Sequence, residues 1–153
     1  MNTQKFTHRL TKILIEIMFY GGILVCVCLV LPFTRPYLSI WLGHPHPDNM
    51  TKHLAVLTSC GLCAIYILFQ LKIMFKTLLQ GNPFLYENVS CFRKCGVASL
   101  LIAIIFSIRL SFWFTAGSII IVILCTLLGL VSLTLKDVFK QAIAYKEEND
   151  WTV

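Results

Sequence analysis

The feature that most constrains this chain is a set of long apolar runs separated by polar segments. The first two runs cover residues 13–33 and 54–75. Each has about 20 residues, the length that an α-helix needs to cross the hydrocarbon core of a bilayer. A third stretch, residues 96–135, is almost continuously apolar. One helix of that length would measure about 60 Å, twice the hydrocarbon thickness, so this stretch must fold back on itself.

Three residues mark the place where the third stretch turns. Arg109, Ser111 and Gly117 interrupt it, and they predict a tight hairpin near residues 110–117. The chain then has four spans with three connections and a tail. The predicted segments are spans at 13–33, 54–75, 96–110 and 117–135, loops at 34–53 and 76–95, and a tail at 136–153.

Composition identifies lipid as the solvent of these spans. Hydrophobic residues make up 58% of the 153 residues and charged residues 13%, whereas soluble domains average about 45–50% and 25%. A soluble domain of about 150 residues still exposes roughly a third of its unfolded surface, which this chain has too few polar side chains to cover. We therefore predict an all-α integral membrane four-helix bundle. The same numbers argue against a soluble enzyme, a disordered chain, a disulfide-stapled secreted domain and a nucleic-acid-binding protein.

The distribution of basic residues predicts the orientation of the spans. With the N-terminus inside the cell, ten of the 13 basic residues lie on the cytoplasmic side and only Arg35, Lys52 and Arg109 lie outside. The positive-inside rule favours this arrangement. We expect both termini, loop 76–95 and the tail to be cytoplasmic, with 34–53 as an outer loop in a bacterial cell membrane.

The first run is predicted to be a retained helix, although basic residues precede it as in a signal peptide. Its length exceeds the 7–15 residues or so of a signal-peptide apolar region. The exit at residues 31–34, Leu-Pro-Phe-Thr, also lacks a cleavage pattern of small residues.

Three histidines and an aspartate in the outer loop suggest a metal site: His44, His46, His53 and Asp48. Imidazole and carboxylate groups bind zinc and copper. However, the His-Pro-His-Pro run lacks the tight ligand spacing of structural zinc sites. We therefore favour a solvated loop.

A second pattern, Cys60 and Cys63, forms Cys-x-x-Cys in the middle of the second run. In hydrocarbon, desolvation disfavours the thiolate that redox or metal chemistry needs. We interpret these cysteines, with Gly61 and Ala64, as small residues that allow close helix packing. We predict no catalytic, cofactor-binding or metal site.

Two charged residues border the spans. We expect Glu16 to pair with Lys12, four residues earlier, and Arg109 to reach lipid phosphate beside the outer turn. An ion pathway would need a chain of ionisable groups near the midplane, and the sequence shows none.

The cytoplasmic loop and the tail are the most organised polar segments. Gly81 is suited to ending the second helix, and Asn82 to capping a new helix with Pro83 at its first position. The tail has the spacing of a short amphipathic helix that lies along the inner leaflet. Its acidic end, residues 147–150, is repelled by anionic lipid, so it either folds back on the basic loop or faces a protein partner.

These two segments also resemble a known family. The residues are Gly81-Asn82-Pro83-Phe84, Glu87-Asn88-Val89, Arg93-Lys94-Cys95-Gly96, Val138-Phe139-Lys140-Gln141-Ala142 and the ending from Glu147 to Val153. Together they are similar to the signature of small four-span bacterial membrane proteins known as domain of unknown function 2975. The resemblance implies no activity and no catalytic residues. Members are often encoded beside a helix-turn-helix regulator, which implies a membrane component that controls a DNA-binding partner.

The predicted function is a non-enzymatic regulatory or sensor protein that holds such a cytoplasmic regulator or another partner. A small transporter, a channel component or an immunity-type membrane protein is the alternative. The predicted partner-docking residues are Asn82, Pro83, Phe84, Glu87, Asn88, Arg93, Glu147, Glu148, Asp150 and Trp151.

Overall fold

The computed structural model describes residues 2–31, 35–41, 47–80 and 84–151, and these residues form helices without a strand. The helices are α1 Asn2–Val30, α2 Arg35–Trp41, α3 Pro47–Leu79, α4 Tyr86–Leu110 and α5 Ala116–Trp151. The four long helices contain apolar segments able to cross a membrane, at Arg9–Val30, Met50–Leu79, Tyr86–Leu110 and Ala116–Asn149. The predicted all-α class and four membrane helices are confirmed, and the chain is a multi-pass membrane protein.

The long helices pack in the order of the chain, with α1 on α3, α3 on α4 and α4 on α5. Helix α4 is the central one, and nine of its residues are buried. The core cluster joins Cys60 of α3 to Ile102 and Phe106 of α4, and residues of α5 pack against it. Among the described side chains of α1, only Ile15 and Cys26 are buried. Helix α1 therefore lies at the edge of the molecule.

Large apolar side chains cover the outside of the molecule. Ile17 and Leu24 of α1 are 66% and 65% exposed, and Leu128 of α5 is 59% exposed. In water such exposure would cost about 25 cal/mol for each Å² of apolar surface. In a bilayer the same surface contacts acyl chains, so it needs no protein cover.

Two glycines bring α4 and α5 together. A Cβ atom at Gly96 would lie 3.0 Å from the carbonyl oxygen of Gly129, and one at Gly129 would lie 3.1 Å from the oxygen of Gly96. The Leu100 Cγ atom would be 2.8 Å from the same added atom at Gly129. Any side chain here would push the two backbones apart, which is why small residues suit such crossings.

The start of α4 differs from the prediction. The helix begins at Tyr86, after an extended Leu85 that makes no side-chain cap hydrogen bond. Phe84 is also outside the helix, so α4 begins later than the sequence predicts, while the predicted cap Asn82 and first helical residue Pro83 lie outside the described residues. Residues 86–95 of loop 76–95 belong to α4, as expected of a helix that leads into the third span, with Glu87, Arg93 and Lys94 exposed and Asn88, Cys91 and Cys95 buried.

The outer loop also contains helix. Its prolines prevent a continuous helix, but proline is compatible with a first helical turn. Pro36 lies in the first turn of α2, and Pro47 is the first residue of α3. The Ser39 hydroxyl donates a hydrogen bond of 2.7 Å to the Pro36 carbonyl.

Candidate partner-docking surface

The two segments singled out in the sequence lie against each other. The ring of Phe139 on α5 lies 6.0 Å from that of Phe84 and 5.0 Å from that of Phe92, centroid to centroid. These are ordinary distances for packed aromatic pairs. Ile143, one turn beyond Phe139, is 4% exposed. Residues 84–93 and 139–148 therefore form one surface, which we call the docking surface.

The packing continues toward the end of α5. The Tyr86 hydroxyl, at the first residue of α4, donates a hydrogen bond of 3.4 Å to Oε2 of Glu147. Both side chains are exposed, so the bond contributes little stability. It shows that the Glu147 side chain, at the acidic end of α5, lies beside the start of α4.

Among the predicted docking residues whose side chains the structure describes, Asn88 is the one that is buried. It is 2% exposed, and the Thr77 hydroxyl of α3 donates a 2.7 Å hydrogen bond to its Oδ1 atom. The same hydroxyl lies 2.7 Å from the carbonyl of Met74. Asn88 therefore connects α4 to α3 beneath the docking surface and is not available to a partner.

The remaining described docking residues are exposed and carry both signs of charge. Glu87 and Arg93 lie on α4, and Glu147 and Glu148 lie on α5. The tail does not fold back as a separate segment, and it does not begin a new helix, because α5 continues without a break to Trp151. Asn82 and Pro83 lie outside the described residues, as do the side chains of Asp150 and Trp151.

The opposite end of the molecule contains a cluster of polar side chains that the sequence did not predict. Arg109 was expected to reach lipid phosphate, but its Nη1 atom donates a 2.8 Å hydrogen bond to the Ser118 hydroxyl. The Thr115 hydroxyl lies 2.7 Å from the same oxygen. The arginine thus joins the end of α4 to the first turn of α5. In the sequence, Thr115 and Ser118 lie one helical turn apart and follow Arg109 within nine residues. This spacing is the pattern from which the polar cluster could have been predicted.

His53 belongs to the same end of the molecule. It is 4% exposed, and its ring meets the ring of Trp113 edge-on at 5.3 Å. Within the described ranges, no three histidine, cysteine, aspartate or glutamate residues are grouped to hold a metal ion. His44 and His46 lie outside those ranges.

Cys60, Cys63 and Cys125 pack together in the core cluster of α3, α4 and α5. All seven are free thiols, and Cys26, Cys60, Cys91 and Cys95 are buried. A Cβ atom at Gly61 would lie 2.5 Å from the sulfur of Cys26. That contact brings α1 and α3 together at a small residue, as the packing interpretation requires.

Comparison with known proteins identifies a family to which this chain is similar. Residues 13–153 match the family described as "Protein of unknown function (DUF2975)". The match includes the whole docking surface and the helices α3, α4 and α5. No curated protein and no solved structure matches the chain.

Proposed function

We propose that this chain, which belongs to the DUF2975 family of proteins of unknown function, is a non-enzymatic regulatory protein of the cell membrane. In this role it binds a cytoplasmic protein partner at its docking surface. The observation that carries the proposal is the packing of the α5 extension on the start of α4. From Lys136 onward, α5 continues for about 24 Å. Membrane anchoring alone needs neither this extension nor its contacts with Phe84 and Tyr86.

The positive-inside argument supports a cytoplasmic position for this surface. Loop 76–95 and the α5 extension carry six of the basic residues that predict the orientation: Lys76, Arg93, Lys94, Lys136, Lys140 and Lys146. In this orientation the docking surface faces soluble proteins of the cell.

The charge at the end of α5 favours a basic partner. Glu147 and Glu148 are exposed there, and opposite charges across an interface increase specificity and the rate of association. A helix-turn-helix regulator has a basic face for the phosphates of DNA. An acidic helix end that binds this face competes with DNA, so binding at the membrane would withdraw the regulator from its operator.

The core cluster of α3 and α4 argues against the alternative of a transporter, although polar side chains such as Gln70 and Ser99 are also buried. Transport needs a polar path between the helices. Cys60, Ile102 and Phe106 form the core cluster of α3 and α4, and the side chains of α5 that pack on it are apolar or thiol.

Affinity capture from bacterial membranes tests the proposal. The intact chain is compared with one that lacks residues 146–153 and with the double variant Glu147→Gln, Glu148→Gln. We expect a cytoplasmic protein that is recovered with the intact chain to be lost with both variants. Lys146→Gln is the matched control, because it changes a neighbouring charge of opposite sign and should retain the protein. Equal recovery with the intact and the truncated chain would contradict the docking role.

A further inference from the structure

A cavity of about 450 Å³ lies between α1 and α3, at the end of the molecule where α3 terminates. Three lysines line it, Lys12 of α1 with Lys72 and Lys76 of α3, and one carboxylate, Glu16. The other lining side chains are apolar except for Gln80. The charged side chains therefore give the cavity a net positive charge, and most of its other lining side chains are apolar.

Lys72 lies one helical turn farther from the end of α3 than Lys76 does. Its Nζ atom lies 5.5 Å from the ring centroids of both Phe19 and Tyr20 on α1. Aromatic faces attract a cation at this distance, so the ammonium group is held at the seam between the two helices. Glu16 is placed four residues after Lys12 on α1 and offsets one of the three positive charges.

The same seam continues as an apolar groove toward the other end of the molecule. A second cavity of about 400 Å³ lies between the same two helices. Gly22 of α1 and Gly61 of α3 line it where the two helices approach closely, and its remaining side chains are apolar or thiol. On α3, the lining residues of both cavities recur every three or four positions, which places them on one face of the helix.

The dimensions of the seam match a lipid. From Lys76 to Gly61, in the middle of the groove, α3 rises about 22 Å, and the groove continues to Leu57, about 28 Å from Lys76. One leaflet has about 15 Å of hydrocarbon with a headgroup layer above it. The lysines then lie at headgroup level and the apolar groove at acyl-chain level.

From these observations we infer that the seam between α1 and α3 binds an anionic phospholipid of the membrane. Its phosphate lies among Lys12, Lys72 and Lys76, and one acyl chain lies in the apolar groove. Lysine is a common phosphate ligand and acts as a point charge. A zwitterionic lipid carries its own cation and gains less from three lysines. Such a lipid also supplies contacts to α1, whose protein contacts are with α3.

Lipid retention by the full-length protein tests the inference. Purified protein is equilibrated with dioleoyl phosphatidylglycerol or dioleoyl phosphatidylcholine in detergent, and the bound lipid is counted by native mass spectrometry. We expect preferential retention of phosphatidylglycerol. Each lysine near an anionic lipid strengthens binding about fivefold, so we expect the triple variant Lys12→Gln, Lys72→Gln, Lys76→Gln to bind phosphatidylglycerol about a hundredfold more weakly.

A matched control distinguishes lipid binding at this site from a general effect of positive charge at this end of the molecule. The variant Lys136→Gln, Lys140→Gln, Lys146→Gln removes the same charge at the same end of the molecule, from α5, and should retain the lipid. Equal retention of the two lipids, or equal loss in the two triple variants, would overturn the inference.

A substitution in the groove tests the acyl-chain part. Ala64 lines the apolar cavity and is exposed, so Ala64→Phe fills the groove without entering the core. We expect it to weaken retention of dioleoyl phosphatidylglycerol while circular dichroism shows the same helix content. Competition by inorganic phosphate as strong as that by the lipid would indicate a phosphate site alone and would also overturn the inference.

Discussion

The hydroxyl of Thr77, near the end of α3, lies 2.7 Å from the amide oxygen of Asn88, just after the start of α4, and both side chains are buried. Thr77 and Asn88 lie on either side of the connection between α3 and α4, and their hydrogen bond joins the two helices there. The bond pairs two buried polar groups of different helices, and burying a polar group costs free energy unless it is hydrogen-bonded.

The first prediction concerns this bond. Asn88→Ala leaves the Thr77 hydroxyl without its partner on α4, and we expect the free energy of unfolding to fall by about 1 kcal/mol. Unfolding in a denaturing detergent, followed by circular dichroism, measures the change. Glu87→Ala is the control, since Glu87 is the exposed neighbour and surface substitutions usually change stability by less than about 0.5 kcal/mol. An equal effect of the two substitutions would show that the buried bond is unimportant.

The second prediction concerns the crossing of α4 and α5. In Gly129→Ala the new methyl group would lie 2.8 Å from Leu100 Cγ and 3.1 Å from the oxygen of Gly96. We expect a loss of about 1–3 kcal/mol in the free energy of unfolding, the usual range for overpacking. Gly117→Ala is the matched control, because no atom lies within 4 Å of its added Cβ. There the change should be neutral or stabilising by up to about 1 kcal/mol, the difference in helix propensity between the two residues.

The sequence predicted most of the fold because the physical requirement was simple. Apolar runs of membrane-spanning length must form helices to satisfy their backbone hydrogen bonds. The start of α4 was misplaced because Asn82 and Pro83 are favourable at a helix start, whereas the structure begins the helix at Tyr86 without a side-chain cap. Local preference was outweighed by tertiary contacts, among them those that bury Asn88 and Cys91.

The candidate docking surface was only partly predictable. The sequence identified the loop and the tail separately, but the contact between them depends on the continuity of α5 through the polar residues after Leu135. No local pattern shows that Phe139 lies between Phe84 and Phe92. The burial of Asn88 was also hidden, because its partner Thr77 lies on a different helix.

The third prediction concerns the turn between α4 and α5. Ser118 is 1% exposed and accepts the hydrogen bond from Arg109. Ser118→Ala removes that acceptor, and hydrogen bonds to charged groups are worth about 1.5–3 kcal/mol. We expect faster hydrogen exchange of the amides in the first turn of α5, measured by mass spectrometry of the protein in detergent. Ser111→Ala, at an exposed position of the same turn, should leave the exchange unchanged, and a similar increase in both variants would argue against a specific role for Ser118.

The fourth prediction concerns the docking surface as a unit. Phe139 is the side chain that contacts both Phe84 and Phe92, so Phe139→Ala removes the aromatic contacts that hold the extension of α5 against α4. Because the apolar part of α5 is supported separately by the Gly96 and Gly129 crossing, we expect the loss to stay local. Hydrogen exchange should increase in residues 139–151 and remain slow in residues 116–135. Recovery of a partner that depends on residues 146–153 should fall in parallel, because the acidic end is then no longer fixed beside Tyr86.

Val138→Ala is the control for this experiment. Val138 precedes Phe139 on α5 and is 53% exposed, so its truncation removes apolar surface of similar chemistry without touching the aromatic cluster. We expect it to leave both the exchange pattern and the partner recovery unchanged. If Phe139→Ala increased exchange in the extension while partner recovery stayed intact, the extension would bind its partner independently of α4, and the loop would have no part in docking. If neither readout changed, the contact between the two segments would be incidental, because the aromatic cluster is what joins them in the structure.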